Sequence, residues 1–158
     1  MSEIKTQYSD GGRSQAPDKY KDTNSCTVNA LANTADIPYD VAFKICEAAG
    51  RAKNKGFWPK RIMLEAKKYG IASKKFKFRS ITLQKFVKKY PTGKFYVSTS
   101  RHSFAIIDGV VMDWIGKRNS EKCRLVEAYE ISGTYNGEEI KSRQKKLSTK
   151  RMYSWMKR

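Results

Sequence analysis

Cys26, His102 and Asp113 are the residues of this chain whose types and spacing could perform nucleophilic chemistry together. Cys26 lies in Thr23-Asn24-Ser25-Cys26-Thr27-Val28-Asn29-Ala30-Leu31, a polar loop that breaks into a helical pattern. Asn24 or Ser25 can cap that helix by accepting a hydrogen bond from a first-turn N–H. The helix dipole then places partial positive charge beside the sulfur and favours thiolate, the reactive form. A lone cysteine is more often a small apolar filler. What changes the balance is His102, the only histidine of the chain.

His102 starts the apolar run His102-Ser-Phe-Ala-Ile-Ile107, and Val110-Val-Met-Asp-Trp114 follows it across Asp108-Gly109. Aspartate-glycine between two apolar runs predicts a tight hairpin. Pairing Ile107 with Val110 brings residue 102 towards residues 113–115. A carboxylate there can bond one ring nitrogen of His102, fix its tautomer and leave the other nitrogen to face a thiol. His102–Asp113 would then be an oriented base, and Cys26 the nucleophile it activates. The competing reading is a surface histidine beside an ordinary strand-end aspartate.

The elements that must position these residues follow from periodicity. Residues 1–20 are polar, contain Gly11-Gly12 and Pro17, and read as an irregular arm. Helices are expected at 26–34, 38–50, 58–69 and 82–90, with Pro38 at the opening of the second and Gly50 and Gly70 as stops. Lys74-Lys-Phe-Lys-Phe-Arg79 alternates basic and aromatic residues, as a half-buried strand with one cationic face would. Further strands are expected at 93–98, 102–107, 110–114 and 124–131. Cys46, on the apolar face of the second helix, reads as core, as do Phe76 and Phe78.

These motifs, a cysteine at a helix start, then a histidine at a strand start, then an aspartate on the next strand, resemble the papain-like cysteine peptidase superfamily. The similarity is greatest to small microbial branches such as bacteriocin-processing and cell-wall-peptide peptidases. It spans about residues 20–115. The cysteine motif is also similar to that of small proteins of phages and plasmids, where a basic Gly-Arg loop follows, here Gly50-Arg51. The resemblance implies an α+β fold with N-terminal helices packed on a small antiparallel sheet. It divides the chain into an arm at 1–20, a catalytic domain at 21–132 and a basic tail at 133–158. It also implies a hydrolase of peptide, isopeptide or amide bonds, with a phage or other mobile element as its source. The sequence departs from the family at the oxyanion donor. The usual glutamine, about six residues before the cysteine, is Tyr20 here, so Asn24, Thr23 or the Cys26 N–H must serve.

Composition bounds the rest. The chain has 158 residues, 39% hydrophobic and 12% aromatic, which suits one domain with a real core. There is no apolar run long enough to span a bilayer and no apolar leader at the N-terminus, so a cytoplasmic protein is expected, in a host cytoplasm if phage-encoded. Three cysteines without a CxxC pair, beside a single histidine, make a poor disulfide framework and a poor ligand set. No metal or other cofactor is expected.

Charge is the strongest compositional signal, with 33 Lys/Arg against 15 Asp/Glu and a net +18. Residues 51–94 hold 15 Lys/Arg and one acid, Glu65, while residues 141–158 hold 8 Lys/Arg and no acid. Such a field attracts polyanions: DNA, RNA, an anionic membrane surface or an acidic protein, of which nucleic acid or an acidic protein substrate is the expected partner. Arg51, Lys53, Lys55, Lys74, Lys75 and Lys77 are the candidate contacts, with Trp58, Phe76, Phe78 and Trp155 interleaved among the cations. A catalytically silent papain-like protein that binds nucleic acid or a host partner is therefore the rival to the hydrolase.

Overall fold

The computed structural model describes residues 5–20, 26–53, 55–113 and 123–141. The Thr23–Ser25 loop, Trp114 and the tail beyond residue 141, Trp155 included, lie outside these. Within them the chain is α+β. One six-stranded sheet carries helices on both faces.

Three helices come first: α1 (Cys26–Ala35), α2 (Tyr39–Ala48) and α3 (Pro59–Lys67). α1 stops where Asp36 turns left-handed (φ 54°) and the Ile37 N–H donates back to the Ala32 carbonyl at 3.1 Å. α3 carries proline in its first turn, where a missing N–H costs nothing. A fourth helix, α4 (Leu83–Lys89), starts after Thr82, whose hydroxyl accepts from the Lys85 N–H at 3.3 Å.

The strands are β1 (Lys5–Tyr8), β2 (Ile71–Phe76), β3 (Ile81–Thr82), β4 (Lys94–Ser98), β5 (Ser103–Ile107), β6 (Val110–Asp113), β7 (Arg124–Leu125) and β8 (Glu127–Gly133). The main sheet runs β1-β6-β5-β4-β8-β2, and β3 pairs with β7 separately. All pairings are antiparallel except β1 with β6.

Period-two alternation divides the core between the two faces. Tyr96, Tyr129 and Ile131 face α1, α2 and α3, where Leu31, Ile45 and Ile62 are fully buried. Phe95, Val97, Phe104, Ile106 and Val111 face α4, whose Phe86 meets Phe95 edge-on at 5.1 Å. Cys46 is completely buried in the first cluster, and Phe76 and Phe78 pack at the margin of the second.

Three expectations are corrected. The N-terminal arm is not irregular throughout, because Lys5–Tyr8 lies parallel to β6 from Lys5↔Val110 to Tyr8↔Asp113. No alternation of apolar residues marks this strand, since backbone pairing at a sheet edge needs none. The strand expected at 74–79 lies at 71–76. Gly70 (φ 90°) ends the helical segment in a left-handed turn, so pairing with β8 begins at once, at Ile71↔Gly133. The stretch assigned to the tail begins inside β8, and residues 134–141 fold back on the domain. There the Asn136 N–H donates to the Tyr69 carbonyl at 2.8 Å, and Tyr135 and Ile140 pack on the first core.

Candidate active site

Cys26 is the first residue of α1, and its side chain is 9% exposed. α1 lies across β4 and β5, which sets its first turn beside the start of β5. His102 immediately precedes β5. A short turn holds it: the Thr99 hydroxyl accepts from the His102 N–H at 3.1 Å and from the Arg101 N–H at 3.3 Å. The Thr99 N–H donates to the His102 carbonyl at 2.8 Å. The imidazole lies nearly parallel to the Phe104 ring, with centroids 5.7 Å apart.

Asp113 ends β6. The hairpin register is Ile107↔Val110, Ile106↔Val111 and Ala105↔Met112. Asp108 (φ 48°) and Gly109 (φ 79°) are both left-handed, as a primed two-residue turn requires. This register places Asp113 opposite Phe104 and diagonal to His102, within side-chain reach. His102 Nε2 and Asp113 Oδ2 are 2.6 Å apart. The carboxylate is 2% exposed, and its residue's carbonyl also accepts the Ser9 N–H at 2.9 Å, so β1 helps to hold it.

With Nε2 engaged by Asp113, Nδ1 is the ring nitrogen left for the thiol. Burial opposes charge on the Cys26 sulfur, but hydrogen bonds from the His102 side chain and from the Ser103 and Thr27 backbone, with the His102 charge, outweigh it. The thiol pKa is lowered. Burial likewise opposes the imidazolium, yet Asp113 first and Cys26 second raise the His102 pKa to about 9. The arrangement thus favours a thiolate–imidazolium pair. Cys123 shows the contrast. Burial and the nearby Asp113 charge push its thiol up.

The pair opens onto a cleft of about 300 Å³. Gly56, Phe57, Trp58 and Pro59 form one wall, and Ser98 to Ser103, Val126 and Glu127 form the other. Thr27, next to the nucleophile, lines the same cleft. Its hydroxyl oxygen is buried and has no hydrogen-bond partner among the described residues. Among those residues, no group of three or more His, Cys, Asp or Glu could hold a metal ion. Comparison with known proteins finds no matching family model, curated protein or solved structure.

The structure therefore gathers Cys26, His102 and Asp113 in one place. Thr23 and Asn24, the sequence's oxyanion candidates, lie outside the described residues. Lys53, Lys55, Lys74, Lys75 and Lys77 are all exposed, as a polyanion contact requires. Arg51 is the exception and is corrected. It is 2% exposed, with its guanidinium 5.9 Å from the Phe43 ring centroid, so it is a core residue rather than a surface contact. Its N–H donates to the Cys46 carbonyl at 3.0 Å, which ties residue 51 to the end of α2 and turns its side chain inward. Sequence reasoning missed Thr27, Thr99, Ser103 and the Phe57-Trp58 wall. Only the Ser98-Thr-Ser-Arg-His102 cluster carried a signal, as a turn rich in hydroxyl side chains.

Proposed function

We propose that this protein is a cysteine hydrolase that cleaves a peptide, isopeptide or amide bond through a thioester on Cys26. The observation that carries the reading is the position of His102, held through Nε2 by a buried carboxylate and facing a thiol whose pKa it lowers.

In this reading the Cys26 thiolate attacks the carbonyl carbon and the carbonyl electrons move to oxygen. The C–N bond then breaks as the His102 imidazolium gives its Nδ1 proton to the leaving amine. Water attacks the thioester, His102 takes its proton, and departure of the acid restores the thiolate. Asp113 keeps the ring oriented and stabilises its charge throughout. The oxyanion needs donors in place of the family's glutamine. The Cys26 N–H, at the first position of α1, is one. The Thr27 hydroxyl, buried beside it in the same cleft, is the other.

The test is the pH dependence of Cys26 alkylation by iodoacetamide, followed by mass spectrometry. The apparent pKa is expected well below the free-thiol value of about 8.5, and His102→Ala is expected to return it to or above that value. A wild-type thiol that alkylates like the variant would refute the pair. Because the Cys123 thiol is pushed up and Cys46 is completely buried, the early label should map to Cys26.

A further inference from the structure

The cations of the chain are concentrated along the sequence. Residues 1–50 hold 5 Lys/Arg against 7 Asp/Glu, whereas residues 51–94 hold 15 against one. Every cation of that second segment except Arg51 is exposed. Its one acid, Glu65, already pairs with Lys68 at 3.0 Å. α3 packs on β2, which is the last strand of the sheet among the described residues. Lys60, Arg61, Lys67 and Lys68 at α3 and Lys75 and Lys77 at the end of β2 therefore border one sheet edge, whereas Lys85, Lys88 and Lys89 lie on α4 against the opposite face.

This edge leads towards the cleft. β2 runs back antiparallel to α3 and pairs Phe76 with Ala128, and the next residue of β8, Glu127, lines the cleft. Lys75 and Lys77 therefore lie at the end of β2 whose β8 partner leads into the cleft, which Trp58 also lines. The Lys75 ammonium sits 5.9 Å from the Tyr129 ring centroid. Trp58 is 66% exposed, and the Arg61 guanidinium lies 4.9 Å from its ring centroid.

We propose that the face formed by α3 and the β2 edge binds single-stranded nucleic acid, with Trp58 as a base-stacking platform at the mouth of the Cys26 cleft. Cations alone would suit any polyanion. An exposed aromatic flanked by a guanidinium, beside lysines spaced two residues apart on an extended segment, suits a chain that alternates phosphates with π-faces. A short acidic peptide in the cleft would leave most of these cations without a partner. The surface is independent of the thiol, so it can recruit a hydrolase to nucleic-acid-bound targets or act without it.

The experiment measures binding of a fluorescein-labelled oligothymidylate of about 20 nucleotides to the full chain across a salt series. Wild type should bind with an affinity that falls steeply with salt, by a logarithmic slope of about 0.7 per phosphate neutralised. Trp58→Ala should weaken binding on the order of tenfold. The double variant Lys75→Glu/Lys77→Glu should weaken it and flatten the slope. Lys5→Glu/Lys19→Glu changes the net charge equally outside α3 and β2 and should change affinity by no more than about twofold. Cys26→Ala should bind like wild type, which separates this result from the hydrolase reading. If the two double variants weaken binding equally, the specific face is refuted. If Trp58→Ala binds like wild type, or polyglutamate of matched length competes as well as the oligonucleotide, the nucleic-acid surface is refuted. Circular dichroism verifies each fold, and Lys75→Gln/Lys77→Gln replaces any reversal that misfolds.

Discussion

His102 carries more of the site's chemistry than the thiol does, because both of its nitrogens are committed. Desolvation by itself would lower its pKa, and Asp113 and Cys26 reverse that to about 9. The sign fixes the pH behaviour. The thiolate–imidazolium pair exists above the depressed Cys26 pKa and below about 9, so turnover should fall on both sides. As the only histidine, His102 gives one ring C–H signal in an NMR titration. Its midpoint should be near 9 in wild type and lower in Cys26→Ala, where the partner charge is gone. A midpoint unchanged by that substitution would contradict the pairing. Thr27 is tested by the split between nucleophile and oxyanion chemistry. Thr27→Val should leave iodoacetamide alkylation unchanged and slow acylation by an activated ester on the order of 100-fold, with Thr27→Ser retaining most of the rate. Equal losses in both reactions would mean that Thr27 serves the thiolate instead.

At the scale of elements, three short connections set the site. The Asp108-Gly109 turn fixes the β5–β6 register that aligns Asp113 with His102. The Thr99–His102 turn fixes the ring at the head of β5. The Gly70 turn fixes where α3 hands over to β2. A Cβ on Gly70 would collide with the Thr134 carbonyl, and its φ of 90° is strained for any L-residue. Gly70→Ala should cost about 1–3 kcal/mol in urea unfolding, whereas a substitution at Gly137, around which nothing lies within 4 Å, meets no such collision. The sequence showed the Asp-Gly hairpin because a left-handed pair leaves a recognisable dipeptide. It did not show β1, because a parallel edge strand is specified by the partner backbone it meets. It placed β2 three residues late, because the aromatic alternation of Phe76 and Phe78 continues beyond the last ladder pair at Phe76↔Ala128.

Across the whole molecule, one sheet shares its two faces between two cores, and the site draws on both: Cys26 comes from α1, whereas His102 stacks on Phe104 of the α4 core. Loss of the α4 core should therefore be felt at the thiol. Phe86 is fully buried within the rings of Phe78, Tyr90 and Phe95. Phe86→Ala should cost about 3–5 kcal/mol and shift a single urea transition monitored by both circular dichroism and cysteine accessibility. Two separate transitions would show that the faces unfold independently. Among the described residues no helix is long and apolar enough to cross a membrane.

The sequence by itself determined the α+β class, the four helices, the hairpin and the three chemical residues, because each leaves a local mark in periodicity, turn chemistry or residue type. It also determined the concentration of positive charge. Only the tertiary structure decided that Nε2 rather than Nδ1 meets Asp113, that Ser103 and Thr27 donate to the sulfur, and that Arg51 turns inward while its neighbouring lysines stay in water. Those outcomes depend on which backbone lies within about 3 Å of which side chain. That distance is fixed by the packing of α1 on β5 and by the order of strands in the sheet, and no stretch of the chain encodes it locally.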